Sequence, residues 1–117
     1  MNEFQEIAAK RAVKLSGFRF LPGMLLRDEN GAEYRVIDPV RCIGTVNNWV
    51  YFMLDLQPIP NLADPATFGC MLQLAREATD SPDFFPYLTP FGFIYDESGD
   101  HYPDEISAIV AALSAAE

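Results

Sequence analysis

The chain has 117 residues, 50% of them hydrophobic and 13% aromatic, and carries a formal net charge of −9. This composition predicts a single domain over residues 1–117 with a sizeable core, and it excludes a disordered tail protein. The densest apolar run, residues 49–56, is much shorter than the ~20 residues that a membrane helix needs, and residues 1–15 lack a signal-peptide pattern. We therefore expect a cytoplasmic protein that makes no contact with membranes.

Residues 2–15 are predicted to form an N-terminal helix. One stripe along this segment carries the apolar residues Phe4, Ile7, Ala8 and Leu15. Arg11 interrupts the stripe, and Gly17 ends the helix.

The β-rich part, residues 18–56, is predicted to be an antiparallel meander of two hairpins. Asn30-Gly31 and Asn47-Asn48 supply the turns, because these residue types accept positive φ. Strand 49–56 is apolar on both faces, which predicts a central strand covered on both sides.

The α-β-α part, residues 62–117, begins with a predicted helix over residues 65–78. Asp64 can cap the first backbone N–H groups, and Pro65 suits the first turn. Gly69 inside this helix costs about 1 kcal/mol relative to alanine, so we expect a close neighbour that requires it.

The rest of this part is predicted to be a strand and a helix. The strand lies in residues 87–96, with Pro90 and Gly92 indicating an edge or a bulge, and its partner lies within residues 85–89. Asp104 caps the last helix, whose core-facing stripe comprises Ile106, Ile109, Val110 and Leu113. The predicted fold class is α+β: an antiparallel β-meander with an N-terminal helix, then helix, strand or hairpin, and helix, all packed on one shared core.

The net charge is unevenly distributed along the chain. Residues 1–76 contain eight basic and eight acidic residues, whereas residues 77–117 contain nine acidic residues and no lysine or arginine. Because phosphate contacts need Lys or Arg, the second segment is not expected to bind nucleic acid directly. It suits either a basic partner protein or a solubilising surface, and the sequence leaves both interpretations open.

The sequence contains no catalytic signature and no standard metal site. It has no nucleophile elbow, phosphate-binding loop or dinucleotide-binding turn, and His101 is its only histidine. Cys42 and Cys70 are predicted to be free thiols. The pattern Asp96-x-Ser98-x-Asp100 departs from a calcium loop, since its glycine is at the fourth position and a serine is at the twelfth. We predict no cofactor, no metal and no enzymatic activity.

Two features point to a binding surface. Phe84 and Phe85 are adjacent rings between prolines, and both cannot easily face inward, so they are predicted to mark a contact with a partner protein or with a second copy in a homodimer. Asp96, Glu97 and Asp100 have no capping or turn role, and they are predicted to form a docking site for something basic.

Three segments resemble parts of small phage and prophage proteins of unknown function. The first is LADPATFGCMLQLAREA at residues 62–78, the second is DEISAIVAALSAA at residues 104–116, and the third is the opening hairpin LPGMLLRDENGAEYRVID. The resemblance covers most of residues 20–116, and the helix–hairpin–helix end is similar to the small α-β-α sandwich domain named for phage proteins. It implies a phage or prophage accessory protein and implies no catalytic residues.

We therefore expect a non-enzymatic accessory protein of the bacterial host cytoplasm that acts by binding a protein. The partner is expected to be basic or nucleic-acid-binding. One alternative is an inhibitor of a host defence complex of the anti-CRISPR type, in which residues 80–105 present carboxylates in place of phosphates. Another alternative is a small enzyme that works through carboxylates or His101.

Overall fold

The computed structural model describes residues 1–96 and 99–117. The elements in chain order are α1 (Glu3–Ala12), β1 (Leu25–Arg27), β2 (Glu33–Val36), β3 (Arg41–Gly44), β4 (Val50–Phe52), α2 (Met53–Leu56), β5 (Ile59–Pro60), α3 (Pro65–Ala78), β6 (Tyr87–Thr89), β7 (Gly92–Ile94) and α4 (Glu105–Ala115). The predicted α+β class is confirmed. Within these ranges, every helix is too short or too polar to cross a membrane.

The strands form one antiparallel sheet of five strands and one separate hairpin. The order in the sheet is β4-β3-β2-β1-β5, and β6 pairs with β7. Both predicted turns of the meander are present, because β1 pairs with β2 and β3 pairs with β4. Gly31 and Asn48 adopt positive φ values of 86° and 59° in these turns, as their residue types favour.

The predicted central strand over residues 49–56 is wrong. The strand ends at Phe52, where α2 begins, and β4 lies at the edge of the sheet. Trp49, Phe52 and Leu54 are 68%, 57% and 88% exposed. An uninterrupted apolar run is typical of a buried strand, but here the run divides into an edge strand and a short helix, and several of its large side chains are exposed although Met53 is buried.

α4 is the element on which the other helices pack. Seven of its residues are buried: Ile106, Ala108, Ile109, Val110, Ala111, Ala112 and Leu113. It contacts both α1 and α3. The core cluster combines its residues with Leu26 and Tyr34 from the sheet, so the predicted shared core is confirmed.

α1 buries a different face from the one that its apolar stripe predicts. Its buried residues are Ala8, Ala9 and Ala12, whereas Phe4 and Ile7 are 62% and 60% exposed. Alanine faces allow two helices to approach closely, and α4 offers the same kind of surface. Small side chains rather than large ones therefore decide which face of α1 meets the core.

The start of α3 is joined to the sheet by polar contacts. Asp64 accepts a hydrogen bond from the backbone N–H of Thr67 (3.0 Å), which confirms its predicted capping role, and it pairs with Arg35 (3.0 Å). Thr67 is fully buried, and its Oγ1 accepts from the backbone N–H of Leu25 in β1 (2.8 Å). Burial opposes ionisation of Asp64, but the bonds from Thr67 and Arg35 outweigh it and keep the pKa of the carboxyl below its usual value.

The first turn of the sheet contains a charged hydrogen bond. Asp28 accepts from the hydroxyl of Tyr34 (2.7 Å) and from the backbone N–H groups of Asn30 and Ala32 (both 2.9 Å). The bond with Asp28 raises the pKa of Tyr34 to about 12. The same bond lowers the pKa of Asp28. The pair therefore stabilises the turn only while Asp28 is ionised and Tyr34 is protonated.

Gly69→Ala is expected to stabilise the protein by roughly 0.5–1 kcal/mol. The predicted close neighbour of Gly69 is absent: a Cβ at this position would meet nothing within 4 Å. The matched control is Gly92→Ala, since Gly92 has a φ of 130° and a Cβ there would lie 2.8 Å from the carbonyl oxygen of Tyr102. Urea unfolding of the two variants measures the difference. A loss of stability in Gly69→Ala would contradict this account of α3.

Tyr34→Phe is expected to lower the free energy of unfolding at pH 7 by roughly 1–2 kcal/mol, because it removes the hydrogen bond to ionised Asp28. The lowered pKa of Asp28 makes this bond stabilising above the ordinary carboxyl range, and the stabilisation is lost as the pH falls through the pKa of the folded state. The difference between variant and wild type should therefore shrink toward acid pH. It should also shrink as the pH rises from 10 toward the Tyr34 pKa of about 12. Denaturant titrations across this pH range measure both changes, and a constant difference would contradict the assignment.

Candidate interaction surface

The hairpin of β6 and β7 positions the candidate surface. A partner strand within residues 85–89 is confirmed, since β6 pairs with β7 across a turn at residues 90–91. Phe93 and Tyr102 exchange two backbone hydrogen bonds of 2.9 and 2.8 Å. Gly92 allows this close approach, because any Cβ there would collide with Tyr102. The bridge places Asp100 and His101 beside the hairpin.

The two adjacent phenylalanines face opposite directions. Phe84 is 8% exposed, its ring centroid is 6.0 Å from that of Tyr95, and its carbonyl accepts a hydrogen bond from Arg76 Nε (2.9 Å). Phe84 is therefore a core residue, and the prediction that it contacts a partner does not fit its burial. Phe85 is 48% exposed, and its contact with a partner stays a prediction.

Exposed apolar side chains lie just before the hairpin, along β6 and in the turn. Besides Phe85, they are Tyr87, Leu88 and Phe91, which are 45%, 68% and 82% exposed. Phe91 lies in the turn between β6 and β7, so the single strand predicted over residues 87–96 is wrong: the segment folds back on itself as a hairpin. The exposure of Leu88 was not predicted from the sequence. Pro90, two residues later, is a signal that the strand ends close to Leu88.

Acidic side chains lie on the segments that flank the hairpin. Asp83, Asp96 and Asp100 are exposed. Asp83 and Asp100 take part in none of the ion pairs within residues 1–96 and 99–117. Glu97 of the predicted docking site lies outside the described residues. We define the hairpin surface as the exposed side chains of Asp83, Phe85, Tyr87, Leu88, Phe91, Asp96 and Asp100.

The pKa of Tyr102 reflects the charges beside this surface. Its ring is stacked on that of Tyr95 with centroids 6.2 Å apart. Burial raises the pKa of Tyr102, and the nearby Tyr95 and the negative charge of Asp100 raise it further. The negative charge of Asp100 therefore acts on Tyr102, and the nearby positive charge of Arg11 opposes it by lowering the same pKa.

The fold brings some basic residues of segment 1–76 close to the acidic segment 77–117. Arg19 pairs with Glu77 (2.8 Å), and Arg11 donates to Ser114 Oγ (2.9 Å). Asp104 caps α4 by accepting from the backbone N–H of Ser107 (2.7 Å), as predicted. Glu117 accepts a hydrogen bond from the backbone N–H of Ser16. Several of the nine acids thus have structural partners, and Asp83 and Asp100 are among the exposed acids that take part in no ion pair within the described residues.

The residues that a catalytic site would use are dispersed. His101 is exposed, and its ring packs edge-on against Phe91 with centroids 5.8 Å apart. Cys42 and Cys70 are both free, and burial raises the pKa of each thiol, which disfavours the reactive thiolate. Over residues 1–96 and 99–117, no three His, Cys, Asp or Glu side chains are grouped so that they could hold a metal ion.

Comparison with protein-family models, with curated proteins and with solved structures finds no match to this chain.

Phe84→Ala is expected to destabilise the protein by about 3–5 kcal/mol, because it leaves a cavity beside Tyr95 and Arg76. Phe85→Ala, which removes the neighbouring exposed ring, should change stability by less than about 1 kcal/mol. Chemical unfolding of the two variants compares rings that are adjacent in the sequence and opposite in orientation. Equal losses in both would show that this orientation is wrong.

Proposed function

We propose that this is a non-enzymatic phage- or prophage-type accessory protein that acts in the bacterial cytoplasm by binding another protein through the hairpin surface. The observation that carries the proposal is the combination of exposed aromatic and aliphatic side chains on the hairpin with the exposed acids Asp83 and Asp100 on the segments that flank it, in a stretch, residues 77–117, that has no lysine or arginine. The resemblance of residues 62–78 and 104–116 to phage proteins supports the biological setting.

The apolar part of the hairpin surface supports protein binding. Interfaces are enriched in aromatic residues, and adjacent exposed apolar groups on a small domain mark interaction sites. Phe91 and Leu88 are the most exposed of the group, at 82% and 68%. Burying both under a partner would contribute roughly 1.5–3 kcal/mol for each side chain.

The charge of the hairpin surface defines the chemistry of the partner. Asp83 and Asp100 have no ion-pair partner in the described parts of the chain. A basic protein surface can supply these partners, whereas nucleic acid would be repelled. A basic protein that itself binds nucleic acid fits this requirement.

A second candidate function follows from the absence of lysine and arginine from residues 77–117. An inhibitor of a host defence complex of the anti-CRISPR type would place carboxylates where that complex binds phosphates. This version predicts a steep dependence of affinity on salt. The apolar side chains of the hairpin surface favour the broader proposal, because contacts through them depend less on salt.

The proposal is tested with the purified chain as bait in a bacterial host lysate, followed by affinity measurements on the captured protein. Two double variants remove the two halves of the surface: Asp83→Lys with Asp100→Lys, and Leu88→Ser with Phe91→Ser. The matched control is Glu3→Lys with Glu29→Lys, which changes the net charge equally at exposed positions elsewhere. We expect the affinity to fall about tenfold or more in each hairpin variant and to stay unchanged in the control.

The outcomes separate the versions of the proposal. A captured protein that binds both hairpin variants as well as wild type would refute the hairpin surface. An affinity that is the same at low and high ionic strength would refute phosphate mimicry. In that case, a loss of affinity in the variant with Leu88→Ser and Phe91→Ser would still support protein binding.

A further inference from the structure

Within residues 1–96 and 99–117, no backbone hydrogen bond is made by the outward-facing groups on the outer edge of β4. In an antiparallel pair, residues alternate between facing the neighbouring strand and facing away. The N–H of Gly44 donates to the carbonyl of Trp49 (2.8 Å), and the N–H of Met53 donates to the carbonyl of Val40 (3.0 Å). Residues 49, 51 and 53 therefore face β3, and the N–H and C=O groups of Val50 and Phe52 point away from the sheet.

The two edges of the sheet differ in protection. β5 has only two residues, one of them Pro60, which has no N–H, and it lies against α1. β4 contains no proline and no charged residue, and it is the last strand on its side of the sheet as far as the described residues go. Proteins normally block an edge with such residues or cover it, so the edge of β4 is open to pairing.

The side chains around this edge are apolar. Residues 37–54 contain seven exposed large hydrophobic residues: Ile37, Val40, Val46, Trp49, Val50, Phe52 and Leu54. Val46 and Leu54 are the most exposed of them, at 95% and 88%. A groove of about 820 Å³ continues from the edge, bordered by Phe52, Met53 and Leu54 on one side and by Val13 and Phe20 on the other.

The charge of this region indicates what covers it. Residues 37–54 contain only two charged residues, Asp38 and Arg41, and these pair with each other at 2.7 Å. Asp55 adds one carboxylate to the lining of the groove, so the region offers few charges to a charged partner. Two copies that each carry a charge of −9 can meet at such a neutral face without bringing their acidic segments into the contact.

We propose that two copies of this chain pair through β4, antiparallel about a twofold axis at Tyr51. Val50 of one copy then lies opposite Phe52 of the second copy, and each such pair exchanges two backbone hydrogen bonds. This register satisfies all four outward N–H and C=O groups of each β4 and joins the two sheets into one. A shift by two residues leaves half of these groups unpaired. The dimer does not depend on the proposed function, because residues 37–54 and the hairpin surface share no residue.

The oligomeric state tests the surface. Sedimentation equilibrium over a range of concentrations should give twice the chain mass of 13.1 kDa. Val50→Lys places a charge at the edge, and Phe52→Pro removes one outward N–H at a φ of −88°, which is close to the range of proline. Both should weaken the dimer at least about tenfold, whereas Leu88→Lys, which adds the same charge on the hairpin surface, should leave it unchanged. A monomeric wild type, or a dimer that persists in both edge variants, overturns the proposal.

Disulfide formation tests the register. Val50→Cys and Phe52→Cys chains, each also carrying Cys70→Ser, are mixed and oxidised. Opposed residues of a hydrogen-bonded pair lie ~5.5 Å apart, within the reach of a disulfide, whereas two copies of the same variant place their cysteines beyond ~7 Å. The mixture should cross-link and each variant alone should not. Cross-linking of either variant alone, or a mixture that does not cross-link, overturns the register.

Discussion

The burial of α4 between α1 and α3 is the constraint on which the rest of the structure depends. Alanines on α4 and on the inner face of α1 let the two helices approach closely, and Ile109 and Leu113 are buried in the same core. This packing fixes the position of the N-terminal end of α4, where the chain arrives from the hairpin. The capping residue Asp104 and the bridge between Tyr102 and Phe93 then hold the hairpin against the body of the protein.

Features set by neighbouring residues could be predicted from the sequence, and features set by distant ones could not. The range of α3, the caps at Asp64 and Asp104, and the turns of the meander depend on residues within a few positions. The orientation of Phe84 depends on Arg76 and Tyr95, which only the fold brings together. The edge position of β4 depends on the strand order, to which its apolar residues give no guide.

The candidate surfaces were likewise only partly predictable from the sequence. The acidic character of residues 77–117 is visible in the composition, but the fold decides which acids stay exposed. Arg19 reaches Glu77 from a loop 58 residues away, so the hairpin surface holds only part of the charge that the sequence suggests. The apolar edge of β4 and the acidic hairpin surface are chemically different, which allows one small chain to use two contacts of different kinds.

The central place of α4 also affects the order in which the chain can fold during synthesis. Each pairing from β1 to β4 joins strands that are adjacent in the sequence, so this meander can form as soon as it leaves the ribosome. The core cannot close until synthesis reaches residue 113, because Leu113 and its neighbours are the last members of the buried cluster. Until then, the sheet and the buried faces of α1 and α3 remain open to water and to chaperones.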